Sequence, residues 1–287
     1  MVRKPGGSDV GVAVDWYGQL TKAGYEAEPE LVQMLEVSQH LHRPLLLEGP
    51  AGVGKTALAA ALATVLHRPM IRLQCYEGLE ASQALYDWNY HRQMAALTRH
   101  SDEDVFTRPY LLSRPLLQAL ECPQGAVLLL DEVDRADESF EALLLEFLSD
   151  FHVTIPELGT LSAKVDPVVL LTSNRTRPLS DALRRRCLYH FFDWPSKERE
   201  CAIVQLHFPE LSDVMCGQFV SAVQFLRSLN LVKIPGMAET LDWVAAFLCG
   251  DQEWTVAWIA GTLGCVLKDP LDLAKVRPRL EELWTAT

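Results

Sequence analysis

Three short clusters in this sequence hold residue types that can do chemistry together. Gly49-Pro50-Ala51-Gly52-Val53-Gly54-Lys55-Thr56 fits G-x-x-x-x-G-K-[ST] at each fixed position. Glycines there let backbone N–H groups turn inward around phosphate oxygens, and a helix beginning near Lys55 aims the positive end of its dipole at them. In such a loop the Lys55 ammonium reaches the β and γ phosphates and the Thr56 hydroxyl ligates Mg2+. The bland alternative is a strand-to-helix turn that binds nothing. It is weakened because the motif sits between a buried apolar run and a helical pattern, as phosphate binding requires.

The second cluster is Asp131-Glu132, which closes the apolar run at residues 126–130 (Ala-Val-Leu-Leu-Leu). Carboxyl ends of parallel strands face the ligand crevice, so both carboxylates are expected near the γ phosphate. Adjacent residues on an extended segment point opposite ways, so Asp131 can face Mg2+ while Glu132 faces the attacking water. That pairing favours hydrolysis over mere binding. Asp134 reads as a helix cap or a surface residue. Asn174 ends a further apolar run at the same expected edge; its amide can hold the water or a γ-phosphate oxygen, against the plainer reading of a turn-forming Asn.

The third cluster is basic. Arg175, Arg177, Arg184, Arg185 and Arg186 fall in one twelve-residue window, where the chain's 26 Lys+Arg in 287 residues predict about one. The planar fork of Arg suits phosphate. Three readings stand for Arg186: a finger that reaches a neighbouring subunit's triphosphate and stabilises transition-state charge, a nucleic-acid patch, or a solvated face. Arg185 is the reserve candidate for the finger. One subunit cannot cradle its own phosphate at Lys55 and offer Arg186 from the far side, so the finger reading implies a head-to-tail ring.

Elements that could position these groups follow from apolar patterning. Leu31, Met34, Leu35 and Leu41 recur at helical spacing behind Pro29. Strands are expected at 44–47, 69–75, 126–130, 168–172 and 188–192, with a small hairpin around Gly159. Helices are expected at 55–66, along Phe140, Leu143, Leu144, Phe147 and Leu148, and then at 197–206, 218–229, 238–248 and 256–267. Alternating strands and helices imply an α/β unit with a five-stranded parallel sheet and right-handed crossovers. The expected organisation is an N-terminal extension (1–27), an α/β nucleotide-binding domain (28–194) and a small all-helical lid (195–287).

Composition bounds the rest. With 38 Asp+Glu against 26 Lys+Arg the formal charge is -12, and 49% of the 287 residues are hydrophobic. A large core is affordable, whereas a protein that coats nucleic acid or a polybasic membrane-surface protein is disfavoured. The apolar stretch 255–267 is shorter than the roughly 20 residues a bilayer needs, so no membrane span is expected. Pro5-Gly6-Gly7 breaks the chain where a signal peptide needs its apolar stretch. Seven cysteines form no CxxC pair, which favours buried thiols and a cytoplasmic location.

The combination resembles the AAA+ ATPases, within them the MoxR group. The likeness spans residues 28–267. The segment from Arg72 to Tyr90, Arg114-Pro115-Leu116-Leu117, and the stretches 154–160 and 182–187 are similar to the CoxD-type subgroup, linked to maturation of the copper–molybdenum site of carbon monoxide dehydrogenase. The resemblance implies a P-loop AAA+ module with a helical lid, ATP and Mg2+ as cofactors, a homo-oligomeric ring that is hexameric, and a partner with a von Willebrand factor A domain. It implies Walker A roles for Lys55 and Thr56, Walker B roles for Asp131 and Glu132, sensor 1 for Asn174 and the finger for Arg186. The implied function is ATP-driven remodelling of a client metalloenzyme of the molybdenum hydroxylase type; a nucleic-acid motor or clamp-loader-like ATPase is the alternative. MoxR proteins often carry Pro-Arg at the start of a lid helix, but here Gly236 stands in the arginine's place and Lys233 is the possible substitute. Tyr76, Tyr86, Trp88 and Tyr90 are read either as a pore-lining grip or as packing of an insert.

Overall fold

The computed structural model describes residues 15–99, 104–250 and 253–285; the Pro5-Gly6-Gly7 break lies outside them. In chain order, α1 (Trp16–Lys22) and α2 (Pro29–Leu41) lead into β1 (Leu45–Glu48), α3 (Lys55–Leu66) and β2 (Met70–Gln74). An insert follows, made of α4 (Ala81–Ala84), β3 (Tyr86–Trp88), α5 (Tyr90–Arg99) and β4 (Leu111–Ser113). Then come α6 (Pro115–Glu121), β5 (Val127–Asp131), α7 (Glu138–Asp150), the hairpin β6 (His152–Ile155) and β7 (Gly159–Ser162), β8 (Val168–Ser173), α8 (Asp181–Arg186) and β9 (Leu188–Phe191). The remaining elements are α9 (Lys197–His207), α10 (Asp213–Ser228), α11 (Met237–Leu248), α12 (Val256–Thr262), α13 (Pro270–Val276) and α14 (Leu280–Thr285).

Five strands form one parallel sheet in the order β2-β5-β8-β1-β9. The continuous apolar runs β1, β5 and β8 take the three central places and are buried at every residue, as strands covered on both faces must be. The side chains alternate between the faces. Leu45, Leu47, Val127, Leu129 and Leu170 pack with Leu58, Ala59 and Leu62 of α3. Leu46, Leu128, Leu130 and Leu171 pack on the other side with Leu116 and Leu120 of α6 and Phe140, Leu144 and Phe147 of α7. The register sets Glu48 beside Ser173 and Gln74 beside Asp131, so the loops after β1, β5 and β8 open side by side at one edge.

The helices after β9 pack around a separate core in which Phe219 meets Trp243 and Trp254 at ring-centroid distances of 5.4 and 4.4 Å. Their starts are locally encoded: Ser196, Ser212 and Thr255 accept hydrogen bonds from N–H groups in the first turns of α9, α10 and α12, each worth about 1 kcal/mol. The run expected as one helix over 256–267 is α12 followed by a 3-10 turn at Leu263–Cys265.

Within the expected N-terminal extension, Trp16, Leu20, Tyr25 and Ala27 are buried in the same core as β1 and α3. The cysteines are all free, but only Cys75, Cys187 and Cys216 are fully buried, and Cys249 is exposed. In the insert, Tyr86 and Trp88 pack edge to face, and Trp88 does so with Phe106, while Tyr76 and Tyr90 stay exposed.

Candidate active site

The turn between β1 and α3 is shaped by what its glycines permit. Gly49 has φ 153°, and a Cβ there would lie 2.3 Å from the carbonyl oxygen of Phe192, so any side chain would push the loop off β9. Gly54, with φ 98°, is the left-handed cap from which α3 starts. Lys55, the first residue of α3, is 6% exposed, and its Nζ donates to the carbonyls of Gly49 (2.7 Å) and Pro50 (2.6 Å) and to Asn174 Oδ1 (2.9 Å). Burial lowers its pKa to about 8, against the opposing pull of Asp134, Asp131 and Glu132. An ammonium held this way is set to meet incoming anionic oxygens. Pro50, Ala51, Gly52 and Val53 form the crown of the turn, and Ala51, Gly52, Val53 and Gly54 line a cavity of about 400 Å³ with Lys55 and Thr56.

Opposite the loop stand the acids. Thr56 Oγ1 donates to Asp131 Oδ1 at 3.2 Å, while Thr172 Oγ1 lies 2.5 Å from the same oxygen. A hydroxyl and a carboxylate oxygen converging on one cavity form the hard oxygen set that Mg2+ takes. Glu132 departs from the extended geometry expected of it: φ 56° and ψ 50° put it in the left-handed region just past β5. Its N–H donates to Thr172 Oγ1 (2.9 Å), and its carboxylate accepts from Asn174 Nδ2 (3.2 Å) and Gln74 Nε2 (3.1 Å). Both carboxylates line the cavity even though strand alternation does not operate there.

Asn174 follows β8, which lies between β1 and β5, so it touches Lys55 on one side and Glu132 on the other. Asp134 is neither a surface residue nor a helix cap. It is 1% exposed and accepts from the N–H groups of Asn174 (3.2 Å) and Thr176 (2.7 Å) and from the Thr176 hydroxyl (2.7 Å), which fixes the loop carrying Asn174. A short acid three residues past the strand gave no local sign of that distant duty.

Arg72 and Gln74 also reach the site and were not singled out from the sequence. Arg72 Nη2 lies 2.5 Å from Asp131 Oδ2 and 2.6 Å from Gln74 Oε1. The available signal was their alternation with Ile71 and Leu73 on a strand, which marks one polar face of β2. The cavity's far wall comes from Tyr25 and Glu26 before α2 and from Arg199, Ile203 and His207 of α9. Arg199 pairs with Glu28 and donates to the carbonyl of Glu26 at 3.2 Å, tying α9 to the segment ahead of α2. Gly236 packs backbone to backbone on the phosphate loop: Met237 N donates to Gly52 O at 2.8 Å, and a Cβ on Gly236 would stand 2.7 Å from Gly52 Cα. Lys233 is exposed and outside the cavity wall.

The basic cluster divides. Arg177 pairs with the buried Glu141 (2.6 Å) and Arg184 with the buried Glu48 (2.7 Å), while Arg175 stacks over Phe191 at 5.8 Å. Arg185 is exposed. Arg186 does not line the cavity; its Nε donates to Ser149 Oγ of α7 at 3.1 Å, and its Nη1 to Ala182 O at 3.4 Å.

The sequence profile described as AAA domain (dynein-related subfamily) matches residues 44–187, half of the chain. The chain belongs to this family. It is a MoxR-type AAA+ ATPase, a class that hydrolyses ATP and uses Mg2+. Protein NorQ of Paracoccus denitrificans is 27% identical over 187 residues, covering 63% of this chain and 63% of that protein. The gas vesicle ATPase GvpN of Haloferax mediterranei is 25% identical over 224 residues, with 72% and 62% covered. The denitrification regulatory protein NirQ of Pseudomonas aeruginosa is 25% identical over 235 residues, with 79% and 84% covered. The chain thus spans less than two thirds of the first two relatives. The matched residues hold the phosphate loop, the acid pair, Asn174 and the arginine cluster of this AAA domain, while the cavity walls from Tyr25, Glu26 and α9 lie outside them. Among the described residues, no helix is long and apolar enough to cross a membrane.

Proposed function

We propose that this AAA+ chain works as a cytoplasmic ring, hexameric by family likeness, that uses ATP hydrolysis to remodel a client metalloenzyme. The observation that carries the reading is the convergence of Lys55, Thr56, Asp131, Glu132 and Asn174 on one cavity from three adjacent strand ends. The backbone N–H groups of residues 51–54 would cradle the phosphates, with Lys55 on the β and γ groups. Thr56 and Asp131 would hold Mg2+, which when bound supplies a Lewis acid that spreads phosphate charge. Glu132 accepts the proton of the attacking water as its oxygen bonds to the γ phosphorus and the bond to the β-bridging oxygen breaks. Asn174, held by Asp134 and touching both Lys55 and Glu132, positions that water or a γ oxygen. Arg186, directed away from its own cavity, fits a finger offered to the next subunit's ATP, with Arg185 in reserve.

The client follows from the CoxD-type likeness of the Arg72–Tyr90 region, which supports a molybdenum hydroxylase of the carbon monoxide dehydrogenase type and a partner with a von Willebrand factor A domain. A denitrification name and a gas-vesicle name among the relatives leave the module itself neutral about clients. The domain division at residue 195 is supported by the separate core of α9–α14. Against a nucleic-acid motor stand the charge of -12 and the engagement of Arg177 and Arg184 in ion pairs within the chain.

The test uses Glu132→Gln. Steady-state phosphate release should fall by about a hundredfold or more while ATP binding persists. Affinity purification of this ATP-trapped variant from native cells should retain the partner and a metalloenzyme in an ATP-dependent way. Wild-type phosphate release would remove the role of Glu132; capture that ignores ATP would remove the remodelling reading.

A further inference from the structure

The Asp131 carboxylate is 4% exposed and meets three donors. Thr172 Oγ1 and Thr56 Oγ1 are neutral hydroxyls; Arg72 Nη2, 2.5 Å from Oδ2, is the charged one. A carboxylate taken out of water needs a countercharge as well as hydrogen bonds, and the Arg72 guanidinium provides it. The same carboxylate is the one assigned above to Mg2+. A guanidinium on Oδ2 and a divalent ion beside Thr56 at Oδ1 would stand only a few ångströms apart across one carboxylate, where like charges repel strongly in a half-desolvated site. Arg72 has room to leave. It comes from β2, the edge strand, its side chain is 49% exposed, and it stands on the wall of the phosphate cavity.

The geometry points to Arg72 as a positioning residue that holds Oδ2 of Asp131 as a stand-in cation and exchanges with Mg2+ in each catalytic cycle. The inference rests on the assignment of Asp131 to the metal. In the metal-free state Arg72 keeps the carboxylate aimed into the cavity beside Thr56. On loading, Arg72 yields Oδ2, and its fork is then available to the phosphate oxygens beside it, for which its planar donors are suited. Arg72 therefore opposes metal binding as well as preparing for it.

The experiment is a titration of the ADP-saturated full chain with Mn2+, followed by electron paramagnetic resonance. Arg72→Met removes the competing charge, so Mn2+ should bind about fivefold more tightly than to wild type, the size expected of a half-exposed ion pair. Arg72→Gln is a second neutral variant with the same expected result, should the methionine fail to fold. Arg72→Lys keeps the charge and should stay near wild type. Unchanged or weaker Mn2+ binding in the neutral variants overturns the exchange, as does equal tightening in Arg72→Lys. Asp131→Asn separates the two levels: it should weaken Mn2+ binding, and if it does not, the metal assignment itself falls.

Discussion

At the scale of single residues, Lys55 is the most informative group. Its ordinary value of 10.5 drops to about 8, with burial the dominant cause and three acids pulling the other way. Between those values the unfolded chain binds more protons than the folded one, so this group makes the nucleotide-free protein more stable as pH rises through that window. Triphosphate acts in the opposite sense, because its charge favours the ammonium. We therefore expect ATP affinity to fall as pH rises past about 8, and binding near pH 8.5 to take up a proton. Calorimetry in two buffers of different ionisation enthalpy measures that proton, and a heat that does not depend on the buffer would refute the shift. Asp134 shows the complementary lesson. Its two backbone N–H partners and one hydroxyl partner lie 40 or 42 residues away, and they decide where Asn174 stands.

At the scale of elements, the start of α11 rests directly on the phosphate loop, with Gly236 where many MoxR proteins carry a lid arginine. Gly236 leaves no room for a side chain: its Cβ would meet Gly52 Cα at 2.7 Å and Gly52 O at 3.0 Å, and both are backbone atoms that cannot turn aside. Gly236→Ala should push α11 off the loop, widen the cavity between Gly52 and Met237, and weaken ATP binding about tenfold, the usual cost of overpacking by one methyl group. Titration with a fluorescent ATP analogue checks this, and unchanged affinity would show that the contact does not shape the pocket.

For the whole molecule, the finger role proposed for Arg186, which does not line its own cavity, would make activity a property of neighbours. Subunits carrying Arg186→Ala and subunits carrying Glu132→Gln should each be nearly inactive alone. Mixed, they form some interfaces in which an intact Arg186 faces an intact Glu132, and hydrolysis should partly return. Phosphate release across a series of mixing ratios reads this, and a flat zero would place the role of Arg186 within its own subunit.

The phosphate loop, the acid pair and the five strands of the parallel sheet were legible in the sequence because each depends on neighbours in the chain: glycines that free a turn, apolar runs that demand burial, a carboxylate at the end of a run. Strand order was not legible, because which strands pair is decided by contacts across the whole chain. That order puts β8 between β1 and β5 and so brings Asn174 against Lys55, 119 positions earlier, and Glu132, 42 positions earlier. Only the tertiary structure delivers Arg72 to Asp131, turns Glu132 into a left-handed conformation, and presses Gly236 onto Gly52, since in each case the partner lies on an element that local patterning cannot locate.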